Sequence, residues 1–205
     1  MSHWADRTVR LERRRRRPGA QLRREALDAA RWLLVQGGPG AVTIANVAER
    51  IDASRTALLY HFGSAATLQS TLTRTIITEL AMGFGRTASG VRSDAEAQSS
   101  LPAHIFDLFD EAAAGQAAAW TVLAGDGAQL EPLREAVRAL AAALDGEVGR
   151  TGADRPSAQL VYLLTIGAFG DAVIGPYLRE MLNLPTGTMR AQMARILSEL
   201  PVTRS

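Results

Sequence analysis

The chain has 205 residues, enough for one or two domains whose cores need no covalent staple. It has no cysteine, which excludes disulfides, thiolate zinc sites, iron–sulfur clusters and cysteine nucleophiles. Its three histidines, His3, His61 and His104, are too scattered to build a metal site. With 47% hydrophobic, 21% charged and 5% aromatic residues, the composition is that of a helix-favouring globular protein, and its formal net charge is +2.

That small net charge conceals a segregation. Residues 1–64 hold 12 arginines against 6 acids, whereas residues 65–205 hold 11 arginines against 15 acids. A basic end on a mildly acidic body steers one face toward a polyanion, and nucleic acid is the leading candidate. All 23 basic residues are arginine, a preference from which no function follows. The run Arg13–Arg17, followed by Pro18-Gly19, cannot bury its charges, so residues 1–19 are expected to form a flexible arm. Such an arm either lies along phosphates, enters a minor groove, or is a solvated tail. It lacks the apolar stretch of a secretory signal. The longest charge-free apolar run, Pro156–Gly170, is closed by Asp171 before it reaches bilayer length, so no membrane span and a cytoplasmic, nucleoid-associated location are expected.

In chain order, Leu22, Ala26, Ala29, Ala30, Leu33 and Leu34 recur at three- and four-residue steps, which predicts an amphipathic helix over 21–36. Gly37-Gly38-Pro39-Gly40 ends it. Thr43 offers an N-cap hydroxyl to a short helix with the apolar stripe Ile44, Val47, Ala48 and Ile51. After Asp52-Ala53, Ser54 caps a second short helix through Phe62, which Gly63 closes. A long helix runs from Ser64 through Leu68, Leu72, Ile76 and Leu80 to Phe84, and its pattern fades between Thr87 and Ser100. Further helices are predicted over 101–114, 116–124, 132–149, 157–182 and 187–200, punctuated by Gly115, Gly125-Asp126-Gly127, Thr151–Pro156 and Pro185. No strand pattern or internal repeat is present, and the fold class is all-α.

Two short capped helices joined by a turn of about three residues, braced by a third, form a helix-turn-helix, an arrangement that lets the second helix enter a major groove about 12 Å wide. From Arg24-Glu25-Ala26-Leu27-Asp28-Ala29-Ala30 through Thr43–Arg50 and Ser54-Arg55-Thr56-Ala57-Leu58-Leu59-Tyr60-His61-Phe62 to Ser64 and Leu68, order, spacing and chain length resemble the N-terminal domain of the TetR family of transcriptional regulators. The resemblance covers about residues 20–72. It implies a helix-turn-helix DNA-binding domain over 20–66 and a helical effector-binding and dimerisation domain over 67–205. It also implies that the chain is a ligand-responsive regulator, most often a repressor, acting as a homodimer on a palindromic double-stranded DNA operator.

Carried over residue by residue, the resemblance gives Thr43 a phosphate contact and sets Ser54, Arg55, Thr56 and Ala57 before base edges. It brings Tyr60 and His61 to the DNA backbone. Arg55 either takes guanine O6 and N7 together or touches phosphate alone. Three departures stand out: Asp52 where glycine is common in the turn, Ala65 where a lysine commonly follows Phe-x-Ser, and Leu59 with tyrosine displaced to 60. Arg23, Arg24 or the basic arm are expected to compensate. Dimerisation is expected through 157–182 and 187–200, where Gly167, Ala168, Gly170, Ala172 and Gly175 permit close approach. Residues whose type suits an effector cavity are Phe84, His104, Phe109, Trp120, Tyr162, Phe169 and Asp171; the same aromatics also suit plain core. The scarcity of charge in 112–125 and 157–170 suggests a small, largely apolar effector.

An enzyme is the first rival reading, but no phosphate-cradling loop, paired histidine ligands or nucleophile–base arrangement supports it, and no cofactor is expected. A module that binds a membrane surface or partner through the arginine run is the second.

Overall fold

The computed structural model describes residues 18–93, 97, 100–145 and 156–199. Every regular element among them is helical. They are α1 (Gly19–Gly37), α2 (Ile44–Arg50), α3 (Arg55–Phe62), α4 (Ala65–Ser93), α5 (Leu101–Asp110), α6 (Ala114–Leu123), α7 (Glu131–Asp145), α8 (Pro156–Val173), α9 (Gly175–Leu182) and α10 (Thr188–Glu199). Short 3-10 turns occupy Pro39–Ala41, Glu111–Ala113 and Gly127–Leu130. The chain forms two compact units that divide at Leu72/Thr73, within α4. Residues 1–17, which include nearly all of the expected arm, lie outside the described residues; of that segment, Pro18 precedes α1 and Gly19 is its first residue.

In the first unit, α1 buries Leu22, Ala26, Ala30 and Leu34 at helical spacing and packs against α2 and α3. With only seven residues, α2 is too short to persist alone, so its caps and its buried Val47 and Ala48 must hold it. Thr43 Oγ1 accepts from the Asn46 backbone N–H at 3.1 Å. The loop before it is pinned by Asn46 Nδ2 donating to Ala41 O at 2.9 Å and by Gln69 Nε2 donating to Val42 O at 2.8 Å.

The exit from α2 is a Schellman motif. Ala53 N–H donates to Ala48 O at 2.9 Å and Asp52 N–H to Glu49 O at 3.2 Å, which places Asp52 at the left-handed position with φ +49°. The short polar side chain of an aspartate tolerates that conformation better than most, which is how this chain turns without glycine.

In the second unit α8 is central and packs on α5, α6, α7, α9 and α10. The predicted single helix over 157–182 is corrected: it breaks at Ile174 into α8 and α9, whose axes are bent by 72°. Pro176, in the first turn of α9, has no N–H to continue the α8 ladder. A side chain on Gly175 would collide with Asp171 and stand 2.8 Å from Arg179 Nη1, two residues that pair across the elbow.

Two further expectations change. Gly115 does not end a helix. It lies inside α6, where a Cβ would stand 2.7 Å from Ala172 Cβ on α8, and the preceding break falls at Glu111–Ala113, with Ala113 at φ +68°. α4 also continues beyond Phe84 to Ser93, burying Ala88 and Val91. The ends predicted at 149 and 200 lie outside the described residues. No single described helix is long and apolar enough to cross a membrane.

Candidate nucleic-acid interface

Ser54 starts α3 as the sequence predicts, its Oγ accepting from the Ala57 N–H at 3.1 Å, and Gly63 ends it at φ +74°. Between those caps, the helix turns Leu58 and Phe62 inward, both almost fully buried, which fixes its rotation about its own axis. The opposite face carries Arg55, Thr56, Leu59 and Tyr60, all exposed, with Tyr60 at 86%. Ser54 is exposed and Ala57 half-buried at the margin. Eight residues thus present one buried edge and one open edge, the minimum a reading helix requires.

Three residues from α1 and α3 hold the far end of this helix. Arg23 Nη1 donates to the His61 carbonyl oxygen at 3.3 Å, and its guanidinium lies 4.8 Å from the centre of the Phe62 ring. The cation therefore satisfies a carbonyl in the last turn of α3, at the negative end of the helix dipole. His61 is half-buried: its ring meets Tyr60 edge-on at 5.3 Å, and a methyl group added at Gly19 would stand 2.8 Å from its Cε1. Arg24 is exposed on α1. At the end of α2, the Arg50 guanidinium stacks 3.4 Å above the Trp32 indole of α1.

The structure therefore brings Ser54, Arg55, Thr56, Tyr60 and His61 together on or beside α3, with Thr43 at the start of α2 and Arg23 turned into the domain. The sequence reading missed Leu59 as an exposed apolar side chain on the same face, although its position one residue after buried Leu58 carries that signal. It also missed Asn46 and Gln69 as pins of the α2 loop.

Among the residues chosen for an effector cavity, Phe84, Phe109 and Phe169 are gathered in the second unit. Phe109 makes edge-to-face contacts with the other two, each at 6.1 Å. Trp120 is half-buried. His104 is exposed and lies 3.3 Å from Ser100 Oγ, and Tyr162 is 65% exposed. The Asp171 carboxylate is held by Arg179. No group of three or more acids and histidines among the described residues could hold a metal ion.

Residues 26–68 match the family model of bacterial regulatory proteins, tetR family. That stretch is similar to the TetR-family N-terminal domain. A solved structure of a candidate TetR-family transcriptional regulator from Mesorhizobium loti MAFF303099 has the same fold, with a TM-score of 0.60, 13% sequence identity, and coverage of 88% of this chain and 93% of that one. No curated protein matches the sequence. The TetR resemblance read from the residues is thus upheld, as is the all-α class with an N-terminal helix-turn-helix followed by a helical domain.

Proposed function

We propose that this TetR-domain protein is a ligand-responsive transcriptional repressor that binds a palindromic operator as a homodimer. The observation that carries the reading is the open edge of α3, where Arg55, Thr56, Leu59 and Tyr60 face outward while Leu58 and Phe62 lock the helix in place. Arg55 is assigned to base recognition, Ser54, Thr56 and Ala57 to neighbouring base edges, and Leu59 to a thymine methyl group. Thr43, Tyr60, His61 and Arg24 are assigned to the sugar–phosphate backbone, where contacts set register without reading sequence.

The second unit is assigned to dimerisation and effector binding. Support for the dimer comes from large apolar side chains left exposed on α8 and α9, including Tyr162, Ile166, Tyr177, Met181 and Leu182, an area that water disfavours and a second copy would cover. The Phe84, Phe109 and Phe169 cluster suits the wall of an apolar site. Because α4 runs through both units, an effector that binds one conformation better than another would shift DNA affinity along it. A coupling of about 1–3 kcal/mol corresponds to roughly 5- to 150-fold.

The deciding experiment selects bound sequences from a random duplex pool. A two-fold symmetric consensus that disappears with Arg55→Ala and Thr56→Ala is expected. An unsymmetrical consensus, or one indifferent to both substitutions, overturns the assignment.

A further inference from the structure

A threonine inside a helix can satisfy its hydroxyl on the carbonyl one turn back. Thr71, Thr78, Thr87 and Thr121 all do so, donating to the carbonyl oxygens of Thr67, Arg74, Gly83 and Ala117 at 2.7–3.1 Å. Thr165, in the middle of α8, has Val161 O at the same spacing and does not use it. Its Oγ1 is sealed from solvent and, among the described residues, is the one buried side-chain polar atom without a hydrogen-bond partner. Such a group is a standing loss of stability that valine, of nearly the same shape, avoids.

Thr165 lies on the side of α8 that turns inward. Val161 and Ala168, at the helical steps before and after it, are buried, and Phe169 stands one turn further on along the same side. Phe169 is half-buried and meets the Phe109 ring edge-on at 6.1 Å; Phe109 meets Phe84 in the same way, and these last two are almost fully buried. The aromatic cluster therefore runs from the interior of the second unit to its surface, one turn along α8 from the orphan hydroxyl. Free charge is missing from this helix: its one charged residue, Asp171, is neutralised by Arg179.

From the orphan hydroxyl and its neighbours we infer that Thr165 is the polar anchor of a ligand site walled by Phe84, Phe109 and Phe169, which takes an uncharged, largely apolar molecule bearing one carbonyl or hydroxyl oxygen. The inference rests on the reading of this cluster as the wall of an apolar effector site, and adds what the effector must carry. Thr165 Oγ1 donates to a carbonyl or accepts from a hydroxyl, and one such contact among aromatic walls fixes how the molecule lies. A molecule without oxygen leaves the hydroxyl unpaired, and a charged one loses hydration that no group here replaces. Entry takes an outward swing of Phe169, a ring that solvent already touches.

The test titrates the full chain with four probes of similar size, ethylbenzene, acetophenone, 4-ethylphenol and benzoate, and follows heat release. Acetophenone or 4-ethylphenol should bind about 5- to 100-fold more tightly than ethylbenzene, the worth of rescuing one buried hydroxyl. Which of the two leads tells whether Thr165 donates or accepts. Thr165→Val should abolish the preference and leave ethylbenzene affinity unchanged, whereas Thr165→Ser should keep it. With no probe present, Thr165→Val should unfold at the parent's temperature or above it, because it removes an unpaired group. Equal affinity for the three neutral probes, a preference that survives Thr165→Val, or tighter binding of benzoate than of acetophenone overturns the inference. So does a lowered midpoint for Thr165→Val, which means that the hydroxyl is already bonded in the free protein. Failure of the underlying reading looks different: no probe then binds the unaltered chain, and site and anchor fall together, whereas the other adverse results remove the anchor and leave an apolar site.

Discussion

Arg23 Nη1 donates to the carbonyl oxygen of His61 across 38 residues of sequence, tying α1 to the last turn of α3. The same guanidinium covers the Phe62 ring. Arg23→Gln should therefore lower domain stability by about 1–2 kcal/mol, combining a charge-assisted hydrogen bond with a partly exposed cation–π contact. Arg23→Lys should recover only part of this, since an ammonium has no planar fork to serve both partners. Chemical denaturation of the variants checks the loss. The salt dependence of DNA binding should not change, which separates a positioning role from a phosphate contact.

Arg55 and Thr56 are exposed, so their replacement by alanine should leave the unfolding midpoint within about 0.5 kcal/mol of the parent. Arg55→Ala should cost about 1–3 kcal/mol of discrimination between operator and altered base pair. Competition binding with single-base operator variants reads this directly.

The caps were legible because each uses a residue type with a single local purpose. Thr43, Ser54 and Gly63 stand where their sequence places them, and each makes the cap bond or positive φ expected of it. Ser54→Ala and Thr43→Ala should each cost about 1 kcal/mol, and Ser54→Asp should restore the cap while weakening DNA binding through its charge. Thermal unfolding and DNA titration of the same variants show the two effects apart.

Other features were not legible, for physical reasons. Apolar residues continue at helical spacing on both sides of Ile174, so periodicity cannot register a 72° bend; the Gly175-Pro176 dipeptide was the signal. Gly115 resembled a terminator, but glycine serves close packing as readily as turning, and only the neighbour on α8 distinguishes the two. Arg23 shows the same limit, since its partner lies 38 positions away.

Gly115→Val should be strongly destabilising, because Ala172 already lies within contact distance of a single added carbon. Overpacking of this kind costs about 1–3 kcal/mol, and Ala172→Gly in the same chain should return part of it. A double-mutant cycle by denaturant unfolding gives the coupling.

Met181 is 77% exposed on α9, and a charge there should oppose any second copy seated on this face. Met181→Arg is expected to lower the solution mass toward that of one chain and to weaken operator binding with it. Sedimentation across protein concentration tests the first outcome.

The stacking of Arg50 on Trp32 gives the DNA-binding unit a built-in optical probe. Among the described residues each unit holds one indole, Trp32 in the first and Trp120 in the second. Emission from the chain carrying both Trp4→Phe and Trp120→Phe therefore reports on whether the end of α2 stays seated on α1. Operator or effector could be titrated against that signal without attaching a dye.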